Sequence, residues 1–191
     1  MSYLPGCIDP KKWCLLARTP SAVVVHYVRC QQRAYDLELA WFRSQQSLYR
    51  LVSKAALARS RGKRLDHQRR VHRYAIAQSF RLLRSNLASI QACSTFSQLH
   101  ALLIHLLHAV DGIGPVYLYD TALRIGMGFR PALLPTEVYL HAGSLEGARR
   151  VLRLRRLRGG ILPMSKFAPI FGTSLQAHEI ENLLCLYREC L

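Results

Sequence analysis

The feature that most constrains this chain is the run Val110-Asp111-Gly112-Ile113-Gly114-Pro115. It interrupts an apolar helical pattern and at once restarts one. Gly112 and Gly114 can take positive φ and admit another backbone at close range. Pro115 suits the first position of a helix, where its missing N–H would have had no partner. The amides of the new helix then emerge beside the glycines, and amides so placed can hold a phosphate. A chain carrying this turn folds back as two helices. The spacing predicts the first over residues 95–110 and the second from Pro115 to Gly126 or Gly128. Thr95 and Gln98 form a capping box at the start of the first. Its Leu99, Leu102, Leu103, Leu106, Leu107 and Val110 make it apolar nearly all round, so it is expected to be the central buried helix.

Upstream, residues 1–20 carry Pro5, Pro10 and Pro20 and show no period. They read as an irregular lead-in, with Trp13, Leu15 and Leu16 available to pack on the body. Residues 22–28 are rich in valine, a strand-like composition, but no breaker separates them from the next segment. There Ala34, Leu37, Trp41, Leu48, Leu51, Val52 and Ala55 recur at helical spacing, which predicts one helix over residues 22–59. Gly62 ends it and Asp66 caps the next. Val71, Tyr74, Ile76, Phe80, Leu83, Leu87 and Ile90 then form one stripe over residues 67–92. The two helices make an αα-hairpin with a basic turn.

Downstream of the glycine run, Pro131 and Pro135 frame a connection. Residues 136–143 fit either a short helix or an extended piece. Ser144 is expected to cap a helix running to Arg158, stopped by Gly159-Gly160. Thr173 and Gln176 form a further capping box before the last helix, which presents Leu175, Ile180, Leu183, Leu184 and Tyr187. No internal repeat and no hairpin-type strand pair is visible. The expected architecture is all-α. A lead-in at 1–20 precedes a long αα-hairpin at 21–93, which packs with a helical region at 94–191 as one compact unit.

Charge points to the class of partner. Among 191 residues, Lys and Arg total 27 against 11 Asp and Glu, a net charge of +16. Such an excess implies an anionic partner: nucleic acid first, an anionic membrane surface second and an acidic protein third, of which the membrane is not carried forward as an expected partner. Arg far outnumbers Lys, and its planar fork suits phosphate and stacked contacts. One cluster holds Arg59, Arg61, Lys63, Arg64, Arg69, Arg70 and Arg73, offset only by Asp66. It suits a phosphate backbone, and equally a solvated helix end. The second runs from Arg149 to Arg158, with Arg149, Arg150, Arg153 and Arg156 alternating with leucines as a basic amphipathic helix. Its Leu face fits a core and its Arg face phosphate or water; an anionic membrane is the weaker alternative, since the helix is short and lacks a Trp or Phe anchor.

The cysteines are Cys7, Cys14, Cys30, Cys93, Cys185 and Cys190. No Cys-x-x-Cys pair and no zinc or iron–sulfur spacing occurs. The expectation is reduced, mostly buried thiols in a cytoplasmic protein, without metal or cofactor. The early apolar run Leu15-Leu16-Ala17 meets Arg18 and Pro20, so no leader peptide is expected. The longest apolar stretch, residues 101–110, is too short to span a bilayer. It contains His105 and His108, which read as core or hairpin histidines because no further ligand converges on them.

The glycine run also carries a resemblance. Val110, Asp111, Gly112, Ile113 and Gly114 match the start of the helix-hairpin-helix motif of DNA-binding proteins, which reads apolar-x-Gly-apolar-Gly-x-x-x-Ala. The motif's Ala is Leu118 here and the nearest Ala is Ala122, which implies a hairpin packed more widely. The resemblance spans residues 106–126. It implies binding of nucleic acid, DNA ahead of RNA, through the backbone at Gly112, Ile113, Gly114 and Val116. Phosphate contacts carry no sequence information, so selectivity should be weak.

The chain resembles the DNA glycosylases of that class more distantly. Pro135-Thr136-Glu137 falls where such enzymes place a catalytic carboxylate, which implies Glu137, with Asp120, as the base-release machinery. Bifunctional members carry a Lys two residues after the second Gly. Val116 stands there, so the resemblance implies at most a monofunctional hydrolase. Glu137 equally fits a first-turn helix residue favoured by the dipole.

Residues 105–187 also resemble an uncharacterised bacterial protein family of unknown activity. The resemblance lies in Gly112-Ile113-Gly114, the run from Tyr119 to Gly126, the run from Val138 to Gly143, Gly147-Ala148-Arg149 and the run from Glu179 to Cys185. Within it, Asp120 and Arg124 stand four apart on one helix and can pair. Tyr119, Asp120, Arg124, Tyr139 and His141 fit a polar pocket or a buried structural network.

Overall fold

The computed structural model describes residues 7, 9–14, 19–60, 62–65 and 68–191. Most of the chain is helical. In order the elements are α1 (Pro10–Trp13), α2 (Pro20–Tyr27), α3 (Arg33–Arg43), α4 (Leu48–Ala56), β1 (Arg59–Ser60), β2 (Lys63–Arg64), α5 (Arg73–Ser85) and α6 (Leu87–Gln91). Then come α7 (Phe96–Leu107), α8 (Pro115–Met127), β3 (Glu137–Leu140), α9 (Ala142–Val151), β4 (Gly160–Pro163), α10 (Ala168–Phe171) and α11 (Ala177–Leu186). The chain packs as two units, residues 1–36 with 135–191, and residues 37–134.

In the first unit, the Thr19 hydroxyl accepts from the Ala22 amide at 3.3 Å and Pro20 occupies the first helical position. Cap and proline together make the valine run a helix in spite of its β-branched content. A π-helical segment, Val28–Gln32, carries α2 into α3. Strands β3 and β4 pair antiparallel, with Val138 opposite Leu162 and Tyr139 opposite Ile161. The core gathers Val23, Tyr27, Val138, Phe167, Ile180, Leu184 and Tyr187. Helix α11 packs on α9 and β3. Gly147 permits that approach, since a Cβ there would run into the Leu184 carbonyl.

In the second unit, α8 packs on α4 and α7, and α5 packs on α4 and α7 as well. Phe42, Leu51, Val52, Leu83, Ile90, Leu99, Leu103, Tyr117 and Ile125 are buried there. Gly126 lets the following loop fold back on α8. The Leu133 amide donates to the Gly126 carbonyl at 2.9 Å, and a Cβ on Gly126 would overlap the Leu133 carbonyl.

Several expectations are corrected. The predicted helix over 22–59 breaks at residues 44–47. There the Ser44 hydroxyl and the Gln45 side-chain amide both donate to the Trp41 carbonyl at 2.8 Å, and Ser47 restarts the helix by accepting from Arg50 N at 3.3 Å. Local side chains out-compete the helical ladder. The second arm begins at Arg73 with His72 as its cap, and divides at Asn86, whose side-chain amide donates to Leu82 O at 2.8 Å. The expected cap Asp66 lies outside the described residues, as do Leu15, Leu16, Arg61 and His67. Helix α7 is not apolar all round in place: Ile104 is 43% exposed and His105 and His108 face outward.

The mainly α architecture holds, with short ladders added to it: the basic turn is a pairing of β1 and β2, with Gly62 at φ +80° between them. Residues 137–140 take the extended alternative, so Glu137 begins a strand and not a helix. The last capping box joins Gln176 and Glu179 in place of Thr173 and Gln176. Its Glu179 carboxylate accepts from Gln176 N at 2.7 Å.

The basic helix to Arg158 stops at Val151. Arg153 sits at φ +55°, its amide donates to Arg150 O at 3.2 Å, and the Leu154 amide donates to Arg149 O at 2.9 Å. That pair of bonds around a left-handed residue is the Schellman helix stop, here built on Arg in place of Gly.

The thiols are not all reduced. Cys7 pairs with Cys30 and Cys14 with Cys190, at Cα separations of 5.5 and 4.8 Å. Both lie within bridging range, reached by folding and not by sequence proximity. Cys93 and Cys185 keep their thiols outside these two bridges, and burial pushes the Cys93 thiol up from its usual pKa. Among the described residues, no helix is long and apolar enough to cross a membrane.

Candidate nucleic-acid interface

The site is built on the bend between α7 and α8. Thr95 starts α7 by accepting from Gln98 N at 3.2 Å, while Gln98 Oε1 accepts from Ser94 N at 2.9 Å. The bend closes with Ile113 N donating to Val110 O at 3.2 Å, and Gly112 takes φ +80°, a left-handed conformation that favours glycine. Gly114 caps α8 and brings no capping side chain, and Pro115 is the first helical residue. Among the described residues, the Val116 and Tyr117 amides have no acceptor. Asp111, Gly112 and Pro115 are exposed and Ile113, Gly114 and Val116 half-buried, so the bend faces solvent. An uncapped helix start in that position concentrates donor amides and the positive end of the helix dipole.

The bend is held in place from below. Tyr117 donates its hydroxyl to the Ala56 carbonyl at 2.6 Å, which ties the first turn of α8 to α4. Burial pushes its phenol pKa up to about 12, so it stays a donor through the physiological range. The start of α5 lies beside the bend: a Cβ on Gly112 would stand 3.8 Å from the Ala75 Cβ. Two residues before Ala75 is Arg73, exposed, with its guanidinium 5.9 Å from the Tyr74 ring centroid. The bend and the first turn of α5 therefore present donor amides and arginine on neighbouring backbone.

The first Arg cluster divides by role. Arg59, Arg69, Arg70 and Arg73 are exposed. Arg64 is not available as a surface cation. Its Nη2 donates to Gln68 O at 2.9 Å and also to Val71 O, which closes the loop leading into α5. Lys63 lies on β2 opposite Ser60. The second cluster belongs to the first unit. Arg149 Nε donates to Leu157 O at 2.8 Å, and Arg150 pairs with Glu146 at 2.8 Å. Arg153, Arg155 and Arg156 are exposed and, with Leu154 and Leu157, line an open hollow of about 550 Å³.

The expected polar pocket divides between the units. In the second, Arg124 is buried, with Nη2 at 3.3 Å from Glu38 and 3.4 Å from Asp120. Asp120 also accepts from Gln68 Nε2 at 3.3 Å. The Asp120 carboxylate is thus already engaged by two donors. Tyr119 is buried with its ring edge-on to Phe96 at 5.7 Å. In the first unit, Tyr139 is buried on β3 and His141 caps α9. His141 Nδ1 lies 3.5 Å from Glu181 and 3.3 Å from Ser144 Oγ. Both partners meet the same ring nitrogen, so no Ser–His–Glu relay forms, and Ser144 is fully buried. Glu137 is exposed at the start of β3 in the first unit, whereas Asp120 belongs to the second.

Sequence reading misses Tyr74. Periodicity places it on the buried stripe of the second arm, but it is 72% exposed. Helix α5 buries Ala75, Ile76, Ser79 and Leu83, a face that Tyr74 adjoins without joining. Tyr117 and Gln68 also carry no sequence signal, because each acts through a residue distant in the chain.

No protein-family model, curated protein or solved structure matches this chain.

Proposed function

We propose that the chain is a nucleic-acid-binding protein, acting on DNA ahead of RNA with weak sequence selectivity. The uncapped, solvent-facing start of α8 beside the arginine-bearing start of α5 is the observation that supports the reading. One phosphate sits on the Val116 and Tyr117 amides beside the glycines, in the manner of the helix-hairpin-helix motif that residues 106–126 resemble; the Ile113 amide is already spent on Val110 O and Pro115 has none to offer. Arg59, Arg69, Arg70 and Arg73 bind neighbouring phosphates, and the exposed Arg153, Arg155 and Arg156 of the first unit offer further cationic surface. The +16 charge draws the polyanion in. The Asp120 carboxylate belongs to an ionic network and Glu137 is an exposed strand start in the other unit, so the base-processing reading gains no support from their placement.

The test is fluorescence anisotropy of the full chain with labelled duplex at several salt concentrations. Four engaged arginines give a log–log salt slope of about −3.6 on duplex. Removing Arg70 or Arg73 should lower the slope by about 1 each. Val116→Pro deletes one amide donor within the first helical turn, where proline removes no intrahelical bond, and should weaken binding while leaving the salt slope in place. Absence of binding at low salt, or binding indifferent to salt, overturns the proposal.

A further inference from the structure

We infer that the partner is single-stranded or locally unpaired nucleic acid, with a base stacked on Tyr74. This rests on the proposed nucleic-acid binding and names its ligand class. Tyr74 is 72% exposed on the first turn of α5. The His72 ring lies nearly parallel to it, at 14° with centroids 5.6 Å apart, and the Arg73 guanidinium stands 5.9 Å from its centroid. His72 is also the cap of α5, its Nδ1 accepting from Tyr74 N at 3.4 Å. That bond holds the His72 ring at the helix start, and the Tyr74 ring lies nearly parallel to it.

Every base has a π-face, so an exposed ring beside cations is a sequence-tolerant platform for unpaired bases. In a duplex those faces are already stacked on each other, and the ring has nothing to take. Ala75, the next residue, lies near the glycine bend: a Cβ on Gly112 would stand 3.8 Å from its Cβ. A strand whose phosphate sits at the start of α8 thus brings its adjoining base to Tyr74, while Arg69, Arg70 and Arg73 follow the backbone. An acidic protein partner would meet the arginines equally well but makes no use of a flat, cation-flanked ring.

Tyr49 supplies the control. It is also exposed, at 44%, and the Arg84 guanidinium lies 5.2 Å from its ring centroid, but it stands on α4 and not on the first turn of α5.

The experiment compares the full chain and its variants on three probes of equal length: an oligothymidylate strand, an abasic strand and a duplex. The wild type should bind oligothymidylate about tenfold more tightly than the abasic strand. A tenfold change corresponds to about 1.4 kcal/mol, within the range for one stacked base. Tyr74→Ala should remove that preference and leave duplex and abasic binding unchanged, whereas Tyr74→Phe and Tyr49→Ala should retain it. The inference is overturned if Tyr74→Ala leaves oligothymidylate affinity intact, or lowers all three probes alike, or is matched by Tyr49→Ala. In each of those cases salt-dependent duplex binding still upholds nucleic-acid binding as such. Failure of every probe to bind at low salt overturns both.

Discussion

Replacing Arg124 by Met tests the ionic network at the centre of the second unit. The side chain is 6% exposed and its Nη2 faces Glu38 and Asp120, whose side chains are 21% and 18% exposed. The guanidinium also lies 5.7 Å from the Phe42 ring centroid. Met preserves most of the stem and its packing, so the loss is chiefly electrostatic. Removing one partner of a fully buried pair costs about 3–5 kcal/mol, while an exposed pair contributes about 0.2–1 kcal/mol. Here the cation is buried but both carboxylates reach water at about a fifth of their surface, so they rehydrate in part once alone. The expected loss is about 2 kcal/mol, between the two limits.

Urea denaturation followed by Trp41 fluorescence in a Trp13→Phe background isolates the second unit, since the chain has 2 tryptophans. With a slope of about 2 kcal/mol per molar urea, the midpoint should fall by about 1 M. Adding Asp120→Asn to Arg124→Met should recover part of the loss, a coupling above about 0.5 kcal/mol in the double-mutant cycle. A midpoint shift under about 0.2 M, or additivity in the cycle, would refute the network as a source of stability.

Thiol titration in denaturant without reductant should detect Cys93 and Cys185 alone, and full reactivity of all 6 cysteines would contradict the two bridges. Gly147→Ala and Gly126→Ala each press a methyl onto a carbonyl oxygen of a packed segment, and should destabilise by about 1–3 kcal/mol. Wild-type urea midpoints in both variants would count against those close approaches. Burial holds the His178 and His26 imidazoles below their usual pKa, with Arg29 adding to the effect at His26 and Glu179 opposing it at His178. The unfolded chain then takes up these protons first, so stability is complete above about pH 6.5 and falls as the pH drops below that value. Thermal melts from about pH 8 to pH 5, read at Trp13, should show this decline, and a flat or rising profile on acidification would contradict it.

The helix pair around the glycine bend was legible because its signals are local. The Thr95 cap, the positive-φ glycine and Pro115 at a helix start each act within one turn of chain, and α8 ends at Met127, inside the expected limits. Where the outcome depended on distant partners, the sequence was silent. Glu137-Val138-Tyr139-Leu140 becomes a strand because residues 160–163 supply its ladder across an intervening helix. Residues 152–158 leave the helical path because Arg153 adopts a left-handed turn that sequence preference assigns to glycine. Arg64 could be recognised as a cation, but its use in closing the loop before α5 follows only from two carbonyls brought within reach. The same holds for Tyr74. Its apolar ring matches a helical stripe, and only the true start of α5 at Arg73 fixes which face is inside.

The bridge between Cys14 and Cys190 makes the backbone from one to the other a closed ring, and residues 37–134 are a segment of that ring. A protease that cuts once anywhere in the second unit would therefore release nothing. The nicked product would run as one species on a gel until a reductant opened it into two pieces.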